Sequence, residues 1–301
     1  MRGILRSTAI GLAAMLVAAT ACGGGAAPAA TTAASAAPAS TAAAKPKFEL
    51  ATYMYALQTK GKIKIGTRED NVPFGLKSPA SGKYEGFDID IARELAKGIF
   101  GKTEDVDKFI EWVPVVSATR VPTLDENKAD FVIATFTINE ERKKQIDFSD
   151  VYFFTGQKIL VKKTNTDITS LATLGGKTVC TAKGSTSEKN IAAGNPQAKM
   201  LLLDTYAPCL LALQQGTADA VSTDETILFG LVKQDPNTKI VGAYFSDEPY
   251  GIGVKKNKAD RQGFVEYLNV ELKAMIADGR WTAAYKKWIT PVSGDEKKAP
   301  K

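Results

Sequence analysis

Three arginines, a set of hydroxyl side chains and one aspartate are the groups of this chain whose types and spacing suit chemistry, and the chemistry of the most informative stretch is the holding of an anion. Between Asp130 and Asp150 the sequence reads DFVIATFTINEERKKQIDFSD. Asp130 to Ala134 predicts a short apolar strand, Thr135 and Thr137 follow as hydroxyl donors, and Asn139 with Glu140 and Glu141 predicts a helix start. The first N–H groups of a helix have no intrahelical partner and carry the positive end of its dipole. Arg142 lies one turn in, where a guanidinium beside such groups can take a carboxylate or phosphate in a forked grip. A second helix start follows the predicted strand Lys177 to Ala182, as Gly184-Ser185-Thr186-Ser187-Glu188, a turn glycine with a Ser-x-x-Glu capping pattern. Asp224 follows the predicted strand Ala218 to Thr223, where, taken alone, it reads equally well as the cap of the next helix. Arg68 ends the strand predicted for Lys62 to Thr67, and Ser117 and Arg120 follow one near Ile110 to Pro114. Unaided, Arg68 would pair with Glu69 or Asp70 and Arg120 would lie on a wet helix face.

Composition removes several alternatives. Histidine is absent, which excludes a Ser-His-Asp triad, a histidine metal cluster and a histidine general base. There is no Walker-type glycine loop, so ATP use would belong to partners. The 39 basic and 33 acidic residues give +6, which loss of a leader carrying Arg2 and Arg6 would lower by two. That mild excess, with no basic run interleaved with aromatics, makes no case for nucleic acid. No metal or cofactor is expected.

The elements that must position these groups alternate strand and helix, which predicts an α/β fold. About 240 residues are more than one ordinary core needs, so two lobes are expected. The predicted divisions are a signal peptide over residues 1–21, a linker over 22–47, lobe 1 over 48–156 and again over 250–290, lobe 2 over 157–249, and a frayed tail over 291–301. Two crossings, at Gly156 to Lys163 and around Glu248 to Val254, would make a hinge. Phe264, Leu268, Leu272 and Met275, with Trp281, Tyr285 and Trp288, recur at helical spacing and read as core. The leader has Arg2 and Arg6 before an apolar run too short to stay as a membrane span. Ala19-Thr20-Ala21-Cys22 fits a lipoprotein processing site and also an ordinary peptidase site; the tether-like stretch that follows favours a lipid on Cys22. That stretch of Ala, Gly, Pro, Ser and Thr is expected to be disordered and to reach about 28 Å as a flexible coil. Cys180 and Cys209 form either a disulfide, as exported chains favour, or two buried thiols.

The run A-T-F-T-I-N-E-E-R-K-K, with F-S-D at Phe148 to Asp150, resembles the signature of the family 3 extracellular solute-binding proteins, polar amino acid receptors of ABC importers. The resemblance extends from about Lys62 to Trp288. It implies a two-lobed periplasmic-binding-protein type II fold closing on one solute. Arg142, with Ser185 and Thr186 opposite, would hold the ligand's α-carboxylate, and Asp224 would accept its α-ammonium. G-T-R-E-D-N-V-P-F and V-V-S-A-T-R-V-P-T-L resemble the glutamate/aspartate-binding branch, which implies that Arg68, Ser117 and Arg120 hold a distal carboxylate. Two further guanidiniums in a closing cleft need counter-charge, which a second ligand carboxylate would supply. Glutamate-binding lipoproteins of the family carry a cysteine pair similar to Cys180 and Cys209. Tyr206 stands where some acidic-ligand relatives have histidine. Asn71 stands near the aromatic platform of most members, leaving Phe74 and Phe136 as candidates for packing the ligand stem. The implied protein is a lipid-anchored, monomeric, non-enzymatic receptor on the outer face of the cytoplasmic membrane. It would pass glutamate or aspartate to a permease with an ATPase. The alternative is a receptor for glutamine, asparagine or another polar amino acid. A minor one is a small-carboxylate dehydratase on the same fold, with Asp224 or Glu225 as general acid.

Overall fold

The computed structural model describes residues 48–101, 105–256, 259 and 261–300. The leader, Cys22 and the linker up to residue 47 lie outside the described residues.

The chain enters through α1 (Tyr53–Lys60), capped by the Thr52 hydroxyl, which accepts from Tyr55 N–H, and closed by Gly61 in the left-handed conformation. Apolar residues at strand and helix spacing then build the first lobe. β1 (Ile63–Thr67) is followed by a small antiparallel sheet of β2 (Asp70–Asn71), β3 (Gly75–Lys77) and β4 (Tyr84–Glu85). α2 (Phe87–Phe100) buries Ile91, Leu95 and Ile99 on one face. β5 (Ile110–Pro114), α3 (Arg120–Asp125), β6 (Phe131–Val132), α4 (Glu140–Gln145) and β7 (Ile146–Phe148) complete this part. The second set comprises β8 (Phe153–Lys162), β9 (Thr178–Ala182), α5 (Thr186–Gly194), β10 (Lys199–Leu203), α6 (Tyr206–Gln215), β11 (Ala220–Asp224), α7 (Glu225–Gln234) and β12 (Thr238–Val241). The chain returns through β13 (Asp247–Tyr250) and β14 (Gly253–Lys255) to α8 (Phe264–Ala277), α9 (Arg280–Trp288) and α10 (Thr290–Ser293).

Two mixed sheets result. The first has the order β5-β1-β6-β14-β7, with β1 parallel to β5 and β6, and β14 antiparallel to its neighbours. In the second, β10-β9-β11-β8-β12, the first three strands are parallel and β8 runs antiparallel to β11 and β12. The join between them is a two-stranded ribbon, in which β13 pairs with the start of β8, Tyr250 opposite Phe153 and Asp247 opposite Gly156. Two strands crossing side by side restrict motion to bending and twisting about the ribbon, which is the mechanics of a hinge.

The larger core lies under α2, α8 and α9, where Phe87 packs edge-on to Phe74, Phe153 and Trp281. Leu95 is fully buried there, and truncating it to alanine should cost about 2–5 kcal/mol. Phe74 belongs to this core, with Phe153 and Tyr250 against it. In the second lobe Cys180 of β9 and Cys209 of α6 form a disulfide, with Cα atoms 5.4 Å apart and a sequence separation of 29. Closing a loop of that length contributes about 3–4 kcal/mol in the chain-entropy description. The segment expected to fray is docked instead. Asp295 accepts from the Tyr285 and Ser293 hydroxyls, and α10 lies against α7.

Candidate functional site

Parallel strands of an α/β sheet present the loops at their carboxyl ends to one crevice. Arg68 follows β1, Ser117 follows β5, Thr135 and Thr137 follow β6, Ser185 and Thr186 follow β9, and Asp224 ends β11. Ser117, Arg120, Thr135, Thr137, Ser185, Thr186 and Asp224 line one small cavity between the lobes, together with Tyr206 and Ile227. Arg142 and Arg68 border it. Arg142 donates to Thr137 O (2.7 Å) and across the gap to Gly184 O (3.4 Å), and Arg68 donates to Ser117 Oγ (3.4 Å). Gly184 has φ +73°, and a Cβ there would come within 2.8 Å of Ala118 Cα, so glycine is what lets the two lobes approach. Lys189 of α5 also pairs with Glu141 of α4 across the cleft. A larger groove of about 950 Å³ lies along β7 and the start of α8, but it gathers none of these groups.

The helix starts form as their sequences dictate. Asn139 Oδ1 accepts from Arg142 N–H (2.9 Å) and Ser185 Oγ from Glu188 N–H (3.1 Å), while Glu188 Oε2 accepts from Gly184 N–H (2.6 Å). Asp224, in contrast, occupies the N-cap position of α7 without a side-chain capping hydrogen bond. Its Oδ2 accepts from Tyr250 Oη (2.5 Å), and Oδ1 is buried without a partner. An orphaned carboxylate oxygen facing a cleft is an acceptor in search of a donor. Burial and the neighbouring Glu248 charge push this carboxyl up to about 7.

The guanidiniums are all desolvated, and they differ in what surrounds them. Burial pushes Arg142 down, with Glu248 and Asp224 opposing. Arg120 is driven well down by burial and by Arg142 and Arg68 nearby. Its Nη1 donates to the carbonyls of Ala134 (3.1 Å) and Thr135 (2.8 Å), and its plane lies 4.4 Å from the Phe136 ring. Arg142 lies over the same ring at 5.0 Å, so Phe136 is a platform for two cations. Arg68 is almost fully buried, holds Asp70 in a forked pair (3.1 and 3.0 Å) and stacks over Tyr206 at 5.4 Å.

The threonines are placed as expected but their protons point elsewhere. A hydroxyl has one proton to give. Thr135 gives its proton to Ala134 O (2.8 Å), and Thr137 and Thr186 give theirs to Glu248 Oε2 (2.6 and 2.7 Å). Thr137 and Thr186 therefore offer lone pairs, which suit an ammonium. Among the described residues, Arg142, the Ser185 hydroxyl, which accepts from Glu188 N–H, and the first N–H groups of α5 can donate to a carboxylate.

Sequence reasoning missed two carboxylates. Asp88 is buried under the β6 loop and accepts from Thr135 N–H (2.9 Å) and Tyr152 Oη (2.8 Å). Thr135 has φ +46°, a strained setting for a β-branched residue, and Asp88 with Arg120 holds it there. Burial raises the Asp88 carboxyl to about 7. Glu248 is also buried. The available signal was an acid inside a predicted hinge strand, where glutamate is disfavoured.

A loop cluster at the carboxyl ends of two sheets, with an arginine on one lobe and a half-satisfied aspartate on the other, is arranged to hold a zwitterion. The family model of bacterial extracellular solute-binding proteins, family 3, matches residues 63–291. The chain belongs to that family. This solute-binding protein is 45% identical over 235 residues to the ABC transporter glutamine-binding protein GlnH of Bacillus subtilis, covering 78% of this chain and 83% of that one. It is 34% identical over 226 residues to the glutamate-binding protein GluB of Corynebacterium glutamicum, covering 73% and 75%. Among solved structures, the solute receptor for L-cysteine of Neisseria gonorrhoeae superposes with a TM-score of 0.76 at 32% identity, covering 82% of this chain and 99% of that one. The fold is thus the two-lobed binding-protein fold, and the protein is a solute-binding component of an amino acid ABC transporter rather than an enzyme.

Proposed function

We propose that this solute-binding protein captures L-glutamine for its importer. The α-carboxylate is held by Arg142, Ser185 and the head of α5, the α-ammonium by Asp224 Oδ1 and the lone pairs of Thr137 and Thr186, and the side chain extends toward Arg68 and Ser117. The observation that carries this reading is the forked Arg68–Asp70 pair. An acidic ligand was expected because extra guanidiniums need counter-charge, and here Asp70 already supplies it to Arg68, while Arg120 is engaged by backbone carbonyls and lies near Asp224. A second ligand carboxylate would have to displace Asp70. Asn71, on the strip of lobe 1 facing α6, has both amide atoms buried without a partner, a donor and an acceptor that match a carboxamide. The higher identity to a glutamine-binding relative than to a glutamate-binding one points the same way.

Glutamate or aspartate is the second reading, and it requires Arg68 to leave Asp70 for the ligand. The proposal includes export by a leader over residues 1–21 and a lipid on Cys22. It also places the protein as a monomer outside the cytoplasmic membrane, with lobes divided near residues 156 and 250. Calorimetric titration of a soluble form beginning near Lys45 against the twenty amino acids tests the ligand. Glutamine should bind most tightly, and strongest binding by glutamate or aspartate would overturn the assignment.

A further inference from the structure

Glu248 sits on β13, one of the two hinge strands, and is 1% exposed. A carboxylate only accepts, and this one accepts four times. Oε2 takes the protons of Thr137 (2.6 Å), from the β6 loop of lobe 1, and Thr186 (2.7 Å), the first residue of α5 in lobe 2. Oε1 takes Asn190 Nδ2 (2.9 Å), one turn further along α5, and Ser246 Oγ (2.6 Å), at the entrance to β13. One buried charge on the hinge is thereby tied to the ligand-facing loop of each lobe, and its field reaches Arg142 and Asp224.

We infer that Glu248 is a positioning residue for amino acid binding: by taking one threonine proton from each lobe it turns both hydroxyls into acceptors toward the ligand's α-ammonium and fastens the hinge strand to both lobes. Without it, Thr137 and Thr186 are free to rotate, so the ligand's ammonium must itself order both hydroxyls before their lone pairs face it. Glutamine at position 248 cannot reproduce the arrangement. Its amide has one accepting and one donating end, so either the threonine pair or the Asn190 side would meet an N–H₂ group.

The inference rests on the reading of the cleft as an amino acid site, not on which amino acid fills it. Its test compares L-glutamine with 4-carbamoylbutanoate, the same molecule without the α-ammonium, by calorimetry on wild type, Glu248→Gln, Glu248→Ala and Thr137→Val. Loss of Glu248 should weaken glutamine about tenfold or more and the desamino compound less than about threefold, and Thr137→Val should show the same selectivity. Thr137→Val added to Glu248→Ala should then cost less than about twofold more, because the two act on one hydroxyl. Equal losses for both ligands would reduce Glu248 to a packing role and overturn the inference. If the Glu248 variants do not fold, the selectivity of Thr137→Val decides, and equal losses there overturn it too. Should wild type prefer another amino acid, the glutamine assignment fails. That amino acid and its own desamino form then replace the pair, and the same ratio judges Glu248.

Discussion

At one end of the cleft Asp224 keeps a buried carboxylate oxygen without a partner, whereas at the other Arg68 already grips both oxygens of Asp70. Both ends are built from charged side chains at the carboxyl ends of parallel strands, and they differ in whether the protein itself completes the pair. In the proposed assignment the α-carbon end is complementary to a charge pattern shared by all amino acids, an anion on Arg142 and a cation on Asp224. At the far end the Arg68 charge is already matched before any ligand arrives. A neutral, hydrogen-bonding side chain fits that end without displacing a buried ion pair, and an anionic one does not.

The comparison is broken most strongly from the α-carbon end. Arg142→Ala should weaken amino acid binding by more than about 100-fold, since truncating one partner of a buried charged contact typically costs about 2–5 kcal/mol. Asp224→Asn should have a comparable effect, read by calorimetry, while each variant keeps a cooperative thermal transition. Acidification is the next lever. The Asp224 carboxyl, raised to about 7, must be ionised to receive the ammonium. Affinity should therefore fall by up to about tenfold per pH unit below 7 and level off just above it. A Kd unchanged from pH 5 to 8 would remove Asp224 from the contact. The sign is opposite for the ligand-free fold. Asp224 and Asp88 both have raised values, so the stability they contribute is fully present below the usual carboxylate range and is lost as pH rises toward 7.

The far end gives a smaller response that sharpens the contrast. Asp70→Asn frees Arg68 and should shift the ratio of glutamate to glutamine affinity toward glutamate by about tenfold, or about 1.4 kcal/mol. Arg68→Gln should change glutamine affinity by less than about tenfold, and a collapse of glutamate binding in the same variant would restore the acidic reading. The smallest effect on binding belongs to the paired change Cys180→Ser with Cys209→Ser. It should lower unfolding free energy by about 3–4 kcal/mol in chemical denaturation and leave Kd within about twofold, because the disulfide lies in the β9–α6 core, clear of the cleft.

The fold was legible because period and punctuation agree. α6 runs from Tyr206 to the stop at Gly216, and Asn139 and Ser185 cap the helices they announce. That Thr135, Thr137, Ser185, Thr186 and Asp224 would come together was legible as well, since each follows a predicted strand. What the sequence could not carry is how buried charges choose partners. Glu69 and Asp70 are both near enough to Arg68 to neutralise it, and only the turn through β2 brings Asp70 alone into the fork, leaving Glu69 to Tyr84 and Lys77. The protons of Thr137 and Thr186 were equally hidden. Glu248 lies 111 and 62 residues away from them, and nothing local marks a shared acceptor.

A crystal structure grown with L-glutamine tests the central claim most directly. The account predicts the α-carboxylate on Arg142, the α-ammonium on Asp224 Oδ1, and Arg68 still forked onto Asp70 with the ligand amide beyond it. A ligand held by Arg68 turned away from Asp70, with Arg142 and Asp224 not touching it, would contradict it.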